Sequence, residues 1–491
     1  ICEGLVGSEM CIRDRGAPVP IQPMIPHILL QNKRILVKVY LHYVELLDFI
    51  IGPVYVGIIL FVGLRISSGF ADSIDRRLFN LGLLAKLVSS FAIGIIYWFY
   101  YQDGDTVYYF ERMLRVSKTL KNDLLLGLQL VFTSYSEEAD DAYFLMTSLR
   151  AFDTASYMVV RIASIVNIVC FGIYTNVALL FSVFAFSGLW QLYRISCQAL
   201  PMVSKRNLGF AILLFPSVVF WGSGLLKDTL TLGGITWVVA CFYRGVILRQ
   251  RPIVNILFML ILGYFVAVIK SYILVAFIPA AFLWYVSERR LLSSRNRSSS
   301  LSPVLATISI LLSLVVLSQL GDVLGRYSVE NLQYEAQAMQ QWHHQVEEVY
   351  DYEGSSYSLG NTDFSTLGLI TKAPIALITT FFRPFPWEVS NVLMALSSLE
   401  SLALFSIGFL VFFQRSTTPD NRLSRLFQRY PILQFALLFS IIFGFAVGFT
   451  AYNFGALVRY KIPCLPTVGI LLAALYSLRA EKNGKEESLQ H

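Results

Sequence analysis

Apolar runs close to the length of a bilayer's hydrocarbon core recur along most of this chain. A soluble core would not need so many. They fall at roughly 44–64, 81–101, 158–171, 177–192, 210–221, 230–246, 254–268, 272–286, 304–320, 392–413, 432–449 and 464–478, with a shorter stretch at 370–382 that reads as re-entrant or interfacial. The expected fold is all-α, a polytopic transmembrane helix bundle of about 11–13 membrane segments. Only 14% of the 491 residues are charged, against roughly 25% in soluble domains. One membrane domain is therefore expected over 24–486, with a tail at 487–491 and no soluble domain of ordinary size. Residues 1–23 are set apart as a non-native or disordered extension. The chain begins at Ile1, and CEGLVGSEMCIRDR over 2–15 resembles translated sequencing adapter. The natural start is expected at Met24 or upstream.

The net charge of +7 does not point to nucleic acid, because the basic residues cluster in short loops between apolar runs. That is the positive-inside pattern of a multi-pass protein, expected here in the cytoplasmic (inner) membrane. The clusters 288–297 and 415–429, with 244–251 and 479–485, are read as cytoplasmic. The outer loops are then 102–156 and 321–372. The first has an amphipathic pattern near 120–132, and the second a polar Glu/Gln-rich stretch at 328–353 expected to be helical. Counting every segment as a full span puts Glu288 on the wrong side, so one segment should not cross; 158–171 and 210–221 are the shortest. The six cysteines show no metal spacing; Cys2 and Cys11 fall in the excluded stretch, and Cys170, Cys197, Cys241 and Cys464 read as packing residues. His343 and His344 are adjacent and point about 100° apart on a helix, which does not suit a shared metal.

Four constellations could carry chemistry. Asp103-Gly104-Asp105, with Tyr109 beyond, presents two carboxylates where an aromatic-ended segment leaves the membrane. A carboxylate at the edge of an apolar cavity can serve as a general base, and a pair can hold a divalent cation. A solvated helix end with capping acids has the same sequence. Arg459 and Lys461 stand at the start of a late segment, on the side where the topology rule disfavours cations. Arg can grip a phosphate as a fork and Lys as a point charge, although both can also snorkel to lipid headgroups. Arg383, Trp387 and Glu388 lie in a proline-interrupted stretch, suited to lining a cavity or to the interfacial belt. Lys227 and Asp228 lie at a polar turn, with Lys270 in the next break, placed for an anionic ligand or for anchoring. Glu400 lies within an apolar run and reads as a buried contact between helices.

VRYKIPCLPTVGILLAALYSL, from Val458, resembles the late RY-x-x-P-x-x-P helix start of GT-C class membrane glycosyltransferases. DGDTVYYFE, from Asp103, is similar to their first outer loop. The resemblance implies an outward-facing cavity, a polyprenyl-phosphate sugar as donor, and a glycan or lipid acceptor at the outer face. Asp103 or Asp105 would act as base, and Arg459 and Lys461 would hold the donor phosphate. The basic Lys461 inside the pattern also leaves room for the polysaccharide polymerases of cell-surface glycan synthesis. The competing class is a transporter or flippase of a lipid-linked or anionic substrate. The absence of a sequence repeat and the position of the charges near segment ends favour the enzyme. No metal ligand set is assigned beyond the acidic pair, and the only other partners expected are membrane lipids.

Overall fold

The computed structural model describes residues 46–101, 104–132, 154–293, 357, 359, 366–413 and 422–490. The helices are α1 (Leu46–Ser68), α2 (Ser73–Ile95), α3 (Asp105–Asn122), α4 (Leu124–Phe132), α5 (Thr154–Cys170), α6 (Tyr174–Ala199), α7 (Lys205–Leu213), α8 (Pro216–Phe220), α9 (Lys227–Cys241) and α10 (Pro252–Ser293). They continue with α11 (Thr366–Phe382), α12 (Val392–Phe413), α13 (Arg422–Arg429), α14 (Pro431–Thr450), α15 (Phe454–Tyr460) and α16 (Leu465–Gln490). Single π-turns extend α2 over Ile96–Tyr101 and α9 over Phe242–Ile247. The protein is an all-α, multi-pass membrane helix bundle. Among the described residues, seven helices are long and apolar enough to cross a membrane, or eight with the bent pair Phe454–Tyr460 and Leu465–Leu478. The expected helix at 328–353 and the apolar segment 304–320 lie outside the described residues.

One of the seven, Pro252–Leu291, has 40 residues. At about 1.5 Å per residue it is twice as long as a ~30 Å bilayer core requires. Its backbone leaves helical geometry at Lys270 (φ −149°, ψ 80°). Before that break α10 runs antiparallel to α9, with Asn255 beside Gly245 and Val266 beside Gly234. After it the chain is back beside the same end of α9, where Trp284 stacks on Tyr243 with centroids 5.3 Å apart. The chain therefore reverses at Lys270, and α10 makes two traversals. These match the separate runs expected at 254–268 and 272–286.

The packing gives the bundle two distinct ends. α2 runs antiparallel to α6, with Tyr193 bonded to Asp75 at one end and Gly94 against Tyr174 at the other. α6 and α9 run parallel: Gly224 N–H donates to Ser182 Oγ, and Arg244 donates to Gln191 farther along. One end thus gathers Arg76, Arg77, Lys205 and Arg244. There Lys205 bridges Asp72 at 2.6 Å and Asp75 at 3.1 Å. Its hydrogen bond, with that of the Ile74 N–H, holds the half-buried Asp72 carboxyl below its usual range. The opposite end gathers Tyr97, Asp105, Tyr174, Asp228 and Lys270.

This geometry resolves the topology problem. The end of α2 and the start of α6 share one face, since Trp98 packs edge-on to Tyr174 at 5.5 Å. The chain between them makes no net crossing. Within it α3, α4 and α5 pack on one another, through Asn167 to Ser117 and Tyr157 to Leu130. The stretch 210–221 does contribute to a crossing, in pieces, because α7 and α8 carry the chain from the basic end toward Asp228.

α11 enters from the second end and packs against the last turns of α14. A Cβ on Gly448 would sit 2.1 Å from the Ala376 carbonyl oxygen, and one on Gly444 would lie 2.7 Å from the Phe381 ring. This small-x-x-x-small spacing lets two backbones approach closely. Thr380 Oγ1 donates to the Gly444 carbonyl at 2.6 Å across the contact. Gly448→Ala is expected to push α11 off α14 and to cost about 1–3 kcal/mol, the range for overpacking. A thermal midpoint in detergent equal to the parent's would contradict it.

Candidate functional site

Four side chains from distant parts of the sequence form one buried ion network at the end opposite the basic clusters. Arg459, in the last turn of α15, donates from Nη2 to Asp105 at 2.7 Å. Its Nε and Nη2 each lie 3.1 Å from Asp228 Oδ2. Lys270 Nζ donates to the other Asp228 oxygen at 2.6 Å. Two cations and two carboxylates thus alternate as Asp105–Arg459–Asp228–Lys270. Arg459 Nη1 also reaches the Tyr97 hydroxyl at 3.3 Å, and the Lys270 ammonium sits 4.1 Å from the centre of the Tyr460 ring.

Each member is placed by a local interruption of regular structure. Gly104 has φ +116° and lies over Tyr97, where a Cβ would come within 2.8 Å of the ring. Only glycine satisfies both demands, and the turn delivers Asp105 as the first residue of α3. Tyr97 sits on the π-turn that ends α2, a distortion frequent at functional sites. Asp228 lies in the first turn of α9, after the irregular stretch 221–226, in which Gly224 has φ +76°. Lys270 occupies the reversal in α10. Arg459 precedes the 67° bend between α15 and α16.

Burial within the network is graded. Side-chain exposure is 1% for Asp228, 6% for Lys270, 9% for Arg459 and 17% for Asp105. Asp105 is therefore the open edge and Asp228 the closed centre. Ionised groups at this depth persist when paired and hydrogen-bonded.

The other residues read from the sequence are distributed differently. Asp103 and His343–His344 lie outside the described residues. Lys227 is the half-buried first residue of α9. Tyr109 is buried inside the packing of α3. Lys461, two residues beyond Arg459, is fully buried away from the network, with Nζ 3.3 Å from Ser401 Oγ. Arg383 is bound to Glu388, Nε to Oε1 at 2.9 Å, and lies 5.0–5.3 Å from the centres of the Phe454 and Tyr357 rings. Arg383 and Glu388 thus balance each other and shape the turn. Trp387 is 79% exposed and stacks on Phe385. Among the described residues no group of three or more His, Cys, Asp or Glu could hold a metal. The cation-binding role of the acidic pair rests on Asp103.

A second polar layer lies deeper. Glu400 Oε2 accepts the Ser217 N–H at 2.6 Å, an interhelical contact as its position in an apolar run suggested. Lys86, fully buried in α2, donates to the carbonyls of Val218 at 2.7 Å and Gly222 at 2.5 Å. Lys86 is absent from the four constellations read from the sequence, although a lone lysine inside the run 81–101 was itself a signal. Comparisons with protein-family models, curated proteins and solved structures returned no match.

Proposed function

We propose that this protein is a membrane glycosyltransferase, moving a sugar from a polyprenyl-phosphate donor to an acceptor hydroxyl at the outer face of the cytoplasmic membrane. The observation that carries the reading is the convergence of Asp105, Asp228, Lys270 and Arg459 into one network at the end opposite the basic clusters. By the positive-inside rule that end faces outward. In this reading Asp105, the most exposed member, takes the proton from the acceptor hydroxyl. The acceptor oxygen bonds to the anomeric carbon as the bond from that carbon to the donor phosphate oxygen breaks. Arg459, backed by Lys270, receives the charge developing on the departing phosphate. Asp228 positions both cations.

The test is complementation in a host whose surface glycan depends on this gene, with membrane levels of each variant measured. Asp105→Asn is expected to lower transfer by about 10²–10⁴-fold, the usual contribution of a general base, with lipid-linked precursor accumulating at normal protein level. An undiminished glycan would refute the assignment. A second reading has its own support: charged residues at discontinuous helices, as at Lys270 and at α15–α16, also mark transporters. Lipid-linked sugar moved across reconstituted vesicles without chemical change would favour it.

A further inference from the structure

We infer that Arg459 is an anion site occupied by the protein's own Asp105, and that an incoming phosphate ester displaces that carboxylate and thereby frees it. The identity of the ligand rests on the glycosyl-transfer reading; the masking rests on the geometry alone.

The two carboxylates on Arg459 are unequal. Asp228 is almost fully enclosed and is held from both sides, by two N–H groups of Arg459 and by Lys270. Removing it would take a carboxylate away from two buried cations at once. Asp105 is the most exposed of the four and reaches Arg459 through one bond, Nη2 to Oδ2 at 2.7 Å. It begins a helix immediately after a glycine in left-handed backbone. A small rotation there carries the carboxylate off Arg459 without unpicking the core. Asp105 is thus the partner that can leave.

Charge balance makes the exchange necessary. Among the described residues the network holds two cations and two carboxylates. Adding a phosphate with every member ionised and in place would leave net negative charge in a poorly hydrated site, which is costly. Moving Asp105 away restores the balance around Arg459. The phosphate then takes the Nη2 position and the neighbouring Nη1, whose present partner is the neutral Tyr97 hydroxyl. A planar guanidinium favours such a two-point anion. The consequence is an order of events: the base is tied to Arg459 until the donor arrives, so an acceptor or water meeting the empty site finds Asp105 still bound to Arg459.

The test is equilibrium binding of farnesyl phosphate to the full-length protein in nanodiscs, with farnesol as the uncharged control. Asp105→Asn removes the competing charge while keeping the shape. It is expected to bind farnesyl phosphate about tenfold more tightly than the parent, the fold-change for ~1.4 kcal/mol of relieved competition. Farnesol binding should not change, and Arg459→Gln should lose the preference for the phosphate. Asp105→Ala serves as a second unmasked variant and should also bind more tightly. Equal or weaker phosphate binding by folded Asp105→Asn and Asp105→Ala would overturn the inference. So would the absence of phosphate-dependent binding in all of the proteins. If transfer is lost in Asp105→Asn while its affinity is unchanged, the enzyme reading survives and the mask fails. Tighter binding with no transferase activity in the parent would do the opposite, upholding the mask and removing the enzyme.

Discussion

Asp228→Ala is expected to be the most damaging substitution in the network, costing about 3–5 kcal/mol, the range for stranding a buried charge. Asp228 is 1% exposed and is the shared partner of Lys270 and Arg459. Without it Arg459 keeps Asp105, but Lys270 loses the Asp228 carboxylate that it holds at 2.6 Å. The prediction becomes sharp in combination. Lys270→Met removes the ammonium at similar volume, so Asp228→Ala with Lys270→Met leaves one balanced pair, Arg459 with Asp105. The double variant should recover most of the stability lost in Asp228→Ala, yet fail in transfer because half of the cationic pair is gone. Thermal midpoints and membrane levels of the singles and the double complete the cycle. If Asp228→Ala melts with the parent, or if the double is no more stable than Asp228→Ala, the pairing is not what holds this end together.

The pattern of apolar runs and breaks was enough to read the fold class and most of the helices. The break expected near Lys270 is the reversal in α10. The turn at Gly104 was likewise visible in the sequence, because two acids flank the glycine there between aromatic runs. Asp105, Asp228, Lys270 and Arg459 were each visible as ionisable residues at segment ends, where charge is expensive without a purpose. Their pairing was not, since Asp105 and Arg459 are 354 positions apart and Arg459 and Asp228 are 231 apart. Periodicity carries no information over such a distance. Neighbours in sequence do not all stay neighbours in space. Lys461 lies two residues from Arg459, but the turn between α15 and α16 sends it to Ser401. Arg383 and Glu388 looked like ligand groups because a proline-rich stretch displays them, yet a five-residue separation lets them satisfy each other. The topology conflict arose from counting 158–171 as a full span. Its resolution depends on α2 ending where α6 begins, a tertiary fact.

Lys86→Met is expected to fold and to lose about a hundredfold in transfer, the scale of a 1 Å misplacement. Lys86 donates to the carbonyls of Val218 and Gly222, just before and within the irregular approach to Asp228. A buried ammonium that bonds to carbonyls is a poor choice for stability alone, because its desolvation opposes the gain from those bonds. Methionine matches the chain length and stays apolar, so the net change in stability should remain below about 1.5 kcal/mol, as for volume-conserving exchanges. What methionine cannot do is hold two carbonyls at fixed positions. The segment 218–226 then gains freedom, and Asp228 at its end moves relative to Arg459 and Lys270. Transfer rate and thermal midpoint measured on the same preparation separate the possibilities. A stable variant with parental activity would show that the segment keeps its shape unaided. A variant that fails to fold would make Lys86 a structural group, with the cost of its burial outweighed by the two carbonyl bonds.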